Sequence, residues 1–276
     1  MTTETSEGIS TTGPKGAAPV PRHRRVGAVA GYHLLVWRRT LVGSVFSRFV
    51  GPVLFLLAMG VGLGSLVDQG SGGVDGTSYL LFVAPAMFAV QGMMDGANES
   101  MWPVYGYLEW NRMYLSMIAA PLTVGDVLLG HLLVIAAQSV AAGVAYLVVA
   151  ALFGAVVSWW ALLCVPVGVL VCLAVAAPLF GVASRARTDN VFNVVMRLAI
   201  TPLMLFSGVF FPVDSLPVVL QALAWVTPLW HGVELSRDAA HGVAGSMDAV
   251  HLLVLLAFVG AGWVWARRGL SRRLVA

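Results

Sequence analysis

Along most of this chain, apolar residues run on for twenty or so positions before a polar cluster interrupts them. A bilayer core of ~30 Å needs about 20 such residues per helix. Six runs qualify, at 46–67, 79–101, 124–153, 159–184, 191–211 and 249–266. The third is long enough to tilt or to begin outside the membrane. The stretch 22-RHRRVGAVAGYHLLVWRRTLVG-43, ahead of the first run, has another pattern. Val26, Val29, Ala30, His33, Leu34, Trp37 and Leu41 recur at helical spacing, with arginines at both ends. That predicts an amphipathic helix lying at the interface; the alternative is a basic lead that only fixes topology. Residues 1–21, rich in Thr, Ser, Gly and Pro, predict a disordered tail without the apolar core of a secretory signal. The folded domain is then 22–276.

Composition agrees with a lipid solvent. Hydrophobic residues make up 59% of the 276 and charged residues 11%, against about 25% charged in a soluble domain. Charge position sets orientation. Lys15, Arg22, Arg24, Arg25, Arg38, Arg39 and Arg48 precede or enter the first run, Arg112 follows the second, Arg185 and Arg187 the fourth, and Arg267, Arg268, Arg272 and Arg273 the sixth. All of these fall on one side. The other side has Arg237 among Asp68, Asp75, Asp214, Glu234, Asp238 and Asp248. Both termini of this multi-pass chain are therefore expected in the cytoplasm.

Candidate chemistry is sparse. The only lysine, Lys15, is followed by Gly16, so no phosphate-binding Walker loop can be completed. No catalytic constellation stands out. Cys164 and Cys172 lie roughly 12 Å apart on a helix, too far for a disulfide. The six histidines do not pair at metal-ligand spacing along one helix face and read as interfacial or capping residues. Charged residues inside the runs carry more weight, because each is costly there. Asp95 and Glu99 share a helix face, and Arg197 lies at similar depth. Two readings stay open: Arg197 pairs with one of the acids across the bundle near Gln91, Asn98 and Asn193, or it snorkels to the headgroups. Gly51, Gly60, Gly62 and Gly64 in the first run suit a subunit contact or ordinary close packing.

Two loops are unusual. In 102-WPVYGYLEWNRMYLSMIAAPLTVGDVLLGHLL-133, the part around 105–118 is strongly apolar for a loop. Its spacing predicts a short amphipathic helix with Glu109 and Arg112 on one face, packed on its own bundle or docked on a cytoplasmic partner. In 206-FSGVFFPVDSLP-217, an apolar run ends abruptly and turns apolar again up to Trp230. Gly208 would permit a tight turn or close approach, Pro212 and Pro217 break the helix, and Asp214 is placed to cap a new helix near Ser215.

The strings YLSMIAAPLTVGDVLLGHLL and LFSGVFFPVDSLPVVLQALAWVTPLWHGVEL resemble the permease subunit of ABC-2 type ABC transporters. Within that class they are most similar to the nodulation lipo-oligosaccharide and daunorubicin-type exporter group. The chain departs from the family at Gly130-His131, where a glutamate often follows the glycine. The resemblance implies an all-α polytopic fold. Its parts are six membrane helices, an N-terminal interfacial helix, a cytoplasmic coupling helix between spans two and three, and re-entrant extracellular helices between spans five and six. It implies that Tyr107, Leu108, Glu109, Trp110, Arg112, Met113 and Leu115 face a nucleotide-binding ATPase subunit, which holds the ATP and Mg; this chain would need no cofactor of its own. It implies a re-entrant gate at Gly208, Phe210, Phe211, Pro212, Asp214 and Pro217, and a second permease copy or related chain. The implied function is export of an amphiphile, a glycolipid, lipid-linked glycan or hydrophobic drug. The alternative is an ion-gradient transporter using Asp95, Glu99 and Arg197.

Overall fold

A computed structural model describes residues 20–39, 50–74 and 76–275. Most of the expected tail, Lys15, Leu41, Arg48, Asp75 and the first residues of the first predicted span lie outside them. Among the described residues the regular elements are helices, with one isolated bridge between Val74 and Thr77. In chain order these are α1 (Arg22–Arg39), α2 (Val50–Gly70), α3 (Tyr79–Trp110), α4 (Met113–Ala119), α5 (Val124–Leu152), α6 (Trp159–Ala183), α7 (Asn190–Phe206), α8 (Val218–Trp225), α9 (Pro228–His241) and α10 (Asp248–Leu274).

Five of them, α2, α3, α5, α6 and α10, are long and apolar enough to cross a membrane. Their starts agree with the predicted runs to within a few residues. The fifth predicted span differs. Helix α7 ends at Phe206 rather than 211, because Gly208 takes a left-handed conformation at φ 79°. This leaves α7 shorter than the ~20 residues an upright span needs. A π-helical stretch at Met196–Ile200 interrupts it midway.

Helix α6 is the hub and touches α3, α5, α9 and α10. Its tightest contacts are made by glycines. A Cβ on Gly92 of α3 would stand 2.0 Å from the Gly168 carbonyl oxygen of α6, and one on Gly96 would stand 2.4 Å from that of Cys172. Gly92 and Gly96 are one turn apart, so the two backbones meet along a small-residue seam. On the other side of α6, a Cβ on Gly262 of α10 would stand 2.4 Å from Pro178. The first-run glycines do not pack this way. Gly51 has open space around it, and Gly60 meets only the flexible end of Leu80. Neither cysteine is in a disulfide and both are buried in this core, Cys164 donating to the Ser236 carbonyl at 3.3 Å.

Enclosure is uneven. Of its most apolar stretch α3 buries 72%, whereas α2 and α10 each bury 22%. The outer helices therefore present apolar surface to lipid or to another subunit, while α3 and α6 form the protein's own interior.

Replacing Gly92 by Ala should cost about 1–3 kcal/mol through overpacking. Gly260→Ala, with no atom within 4 Å of the added carbon, should be neutral or stabilise by up to ~1 kcal/mol through helix propensity. Thermal melts of the full chain in detergent micelles check both.

Candidate functional site

At the end of the bundle that collects most arginines, α1 is fastened to α5. Thr123 and Asp126 form a reciprocal capping box that starts α5. The same Asp126 carboxylate draws Arg25 to 3.4 Å and Arg22 to 3.6 Å. Gly130 sits against Val29, where a Cβ would meet its side chain at 2.7 Å. One residue on, His131 stacks on His33 with ring centroids 4.1 Å apart. The Gly130-His131 pair, which departs from the related pattern, is thus the seat of α1. Leu34, expected on the apolar face of α1, is exposed. Inward positions are Val26, Val29 and His33.

The expected single helix over 105–118 is two pieces. Helix α3 runs out of the core to Trp110, its last five residues, Gly106–Trp110, being π-helical. The chain then breaks at Asn111, whose side-chain oxygen accepts the Met113 amide at 3.1 Å. Arg112 adopts a left-handed φ of 50°. Glu109 and Arg112 therefore do not share a helical face. Glu109 instead pairs with Arg273 at the end of α10. Tyr107, Leu108, Tyr114 and Met117 turn into the bundle: Tyr114 shares a hydrogen bond with His131 Nδ1, stacks near Phe180 and lies 5.5 Å from Tyr107. Outward lie Glu109, Trp110, Arg112 and Leu115, with Trp110 69% exposed and Met113 half-buried.

Midway along the bundle, Asp95 accepts a hydrogen bond from Gln91 at 3.0 Å. Turned to donate, the Gln138 amide nitrogen of α5 reaches both Glu99 oxygens at 3.2 Å. Both acids line a cavity of about 470 Å³ together with Gly51, Phe55, Met87, Tyr146 and Met204. Arg197 does not join them. It is exposed on the π-helical stretch of α7, and no ion pair among the described residues links it to Asp95 or Glu99. Helix α7 turns Phe192 and Ile200 inward, which leaves Arg197 facing out.

The opposite end is closed by a hairpin. Gly208 makes the turn, and a Cβ there would stand 2.8 Å from Val213, so both the positive φ and the close approach require glycine. Pro212 precedes a 3₁₀ turn at Val213–Ser215 that contains Asp214. Helix α8 begins after Pro217 with no side-chain cap, so Asp214 does not cap it. The backbone carbonyls of Asp214 and Leu216 are instead satisfied by the Gln221 amide. Phe210 and Phe211 are half-buried, and the Phe210 carbonyl accepts from the Tyr79 hydroxyl at 3.3 Å. The residue that fastens this end is Arg237 of α9. Its guanidinium donates to the Gly208 carbonyl, lies 3.8 Å from the Phe82 ring and pairs with Glu234 at 3.2 Å. In the sequence Arg237 marked only orientation; its isolation among acids was the signal that could have singled it out. The histidines also pair in space, His231 Nδ1 lying 2.7 Å from His251 Nδ1.

Burial holds the His33 imidazole neutral, pushing its pKa from 6.5 down to about 4. Docked α1 then binds fewer protons than released α1 between those values. Its attachment should be strongest above pH 6.5 and weaken as pH falls toward 4. Hydrogen exchange over 22–39, corrected for intrinsic rates, should show opening on the order of tenfold more frequent at pH 5 than at pH 7. His33→Gln should flatten that dependence.

Residues 26–240 match the family model described as "ABC-2 type transporter". "Nodulation protein J" of Rhizobium leguminosarum bv. viciae is 32% identical over 249 residues, covering 90% of this chain and 94% of that protein. "Nodulation protein J" of Sinorhizobium fredii (strain NBRC 101917 / NGR234) is 32% identical over 250 residues, with the same coverage. "Inner membrane transport permease YadH" of Escherichia coli (strain K12) is 23% identical over 252 residues, covering 86% of this chain and 91% of that protein.

Proposed function

Because the chain belongs to the ABC-2 type transporter family, we propose that it is the membrane-embedded permease of an ATP-driven exporter. It moves an amphiphilic substrate, a glycolipid, lipid-linked glycan or hydrophobic drug, out of the cytoplasm or the inner leaflet of a bacterial inner membrane. Both termini are cytoplasmic. ATP and Mg are held by a separate nucleotide-binding subunit.

The observation that carries this reading is the knob at the arginine-rich end. Trp110, Arg112 and Leu115 project outward, while Tyr107, Leu108, Tyr114 and Met117 of the same segment are turned toward the bundle. A large exposed aromatic beside a guanidinium is the composition of an interface anchor. Helix α3 extends without a break from this knob to the hairpin end, where Phe82 meets Arg237. A push on Trp110 is therefore delivered along α3, through its π-helical last turn at Gly106–Trp110, to the Gly208 turn, which acts as the outer gate through Phe210, Phe211, Pro212 and Pro217.

Helix α7, with the hairpin behind it, supplies the sixth crossing. The exposed faces of α2 and α7 meet a second permease, which also covers Arg197. Lined by methionines, Phe55 and two acids, the cavity beside Asp95 and Glu99 suits a substrate with both apolar and polar parts. The ion-gradient reading asks for Asp95, Glu99 and Arg197 in one cluster, and Arg197 stands outside it.

Expressed with its neighbouring genes and purified, the chain should carry a soluble Walker-motif ATPase with it. Trp110→Ala should weaken that association by about 2 kcal/mol, roughly thirtyfold, as truncation of an interface anchor does. Association unchanged in both Trp110→Ala and Arg112→Glu would remove the knob from the interface.

A further inference from the structure

Four arginines close around a cleft of about 370 Å³ between the end of α6 and the end of α10, lined by Arg185, Arg187, Arg272 and Arg273 with Ser184 and Gly269 and by no carboxylate. Two of the four have structural tasks. Arg185 donates to the Gly181 carbonyl at 2.8 Å and the Trp265 carbonyl at 3.1 Å, and its guanidinium lies over the Trp265 ring. Arg273 donates to the Ser184 and Ala186 carbonyls at 3.2 and 3.0 Å and pairs with Glu109. Together they satisfy carbonyls at and just beyond the end of α6, where the helical ladder runs out.

The other two have no such task. Neither the Arg187 nor the Arg272 guanidinium forms a hydrogen bond or ion pair with a described residue. They nevertheless line the same concave surface as two further cations. Glu109 offsets Arg273 alone, so the cleft keeps an excess of positive charge that a bound anion would offset. The Arg185 guanidinium feels this, its pKa lowered by burial and by Arg272.

The surroundings indicate where the anion comes from. Arg272 also lines an adjoining cleft of about 450 Å³ with Trp263, Val264, Arg267 and Arg268. Basic and apolar walls thus meet at Arg272. Along the length that precedes it, α10 presents Leu253, Leu256, Val264 and Trp265 outward, a surface fit for acyl chains. The geometry points to a binding site for the phosphodiester headgroup of an anionic phospholipid, clasped by Arg187 and Arg272, with its chains lying along α10. Guanidinium forks match phosphate oxygens in geometry and charge, and basic pockets between membrane helices take anionic headgroups. Placing the site in the inner leaflet rests on the orientation proposed above; the lipid chemistry does not. Through Arg273 and Glu109 the lipid would sit beside the break that carries Trp110.

The test is native mass spectrometry of the full chain, exchanged from detergent with phosphatidylglycerol or phosphatidylcholine. The wild type should retain one phosphatidylglycerol per chain and no phosphatidylcholine. Arg187→Gln with Arg272→Gln should lower that retention at least tenfold. Arg24→Gln with Arg38→Gln, an equal charge change on α1, should leave it intact. Equal retention of the two lipids, or no loss in the Arg187/Arg272 variant, would overturn the proposal. Displacement of the lipid by excess inorganic phosphate would overturn it too, marking a free-anion site. Orientation is read separately, by labelling Val275→Cys, an exposed position just past the end of α10, in intact cells with an impermeant reagent. Labelling there would refute the inner-leaflet placement and leave the retention measured in detergent untouched.

Discussion

The seam between α3 and α6 is the constraint on which the remaining contacts rely. Water drives soluble helices together, but lipid is as apolar as the helices it surrounds, so close packing must supply the attraction. Gly92, Gly96 and Gly168 let the two backbones come near enough for carbonyl oxygens to occupy the space that side chains would fill. Because α6 also holds α5, α9 and α10, this one crossing fixes the positions of both ends of the bundle. A Cβ at Gly92 would push α3 away and carry the Trp110 knob and the Phe82–Arg237 contact with it.

With this core fixed, the polar groups fall into place by the cost of leaving them unpaired. Asp126 serves the amide of Thr123, which caps α5, and two α1 arginines at once. Arg185 and Arg273 take the carbonyls at the end of α6. Arg237 takes the Gly208 carbonyl exposed by the helix break. Each is a charged group at a helix end, where the backbone has donors or acceptors to spare. The polar chemistry of the protein is therefore concentrated at its two faces and in the cavity beside Asp95 and Glu99.

The peripheral helices differ in kind. Helices α2 and α10 bury little of themselves, and α7 turns an arginine outward. A short helix with a π-helical interruption and a glycine-terminated end is poorly suited to stand alone in a bilayer, since π-turns and glycine ends mark places where a helix can change shape. These are the surfaces on which a second copy and lipid act in the reading proposed here.

Much of this was legible in the amino-acid sequence. The five long spans, the amphipathic α1, the arginine-rich end and the break at Gly208 follow from periodicity, charge and glycine chemistry, which are local properties. Family membership was legible too, in the loop and hairpin strings. Tertiary structure decided the pairings. No spacing in the sequence says that Glu109 would leave Arg112 for Arg273, 164 residues away, since a left-handed turn at Arg112 and the end of a distant helix must both be placed first. Nor does it say that Arg197 would face away from Asp95, because a π-helical turn rotates the face a 3.6-residue period predicts. Glycine frequency points to the first span, whereas the tight glycines lie in α3 and α6, since composition counts small residues but only the packed bundle shows which of them touch.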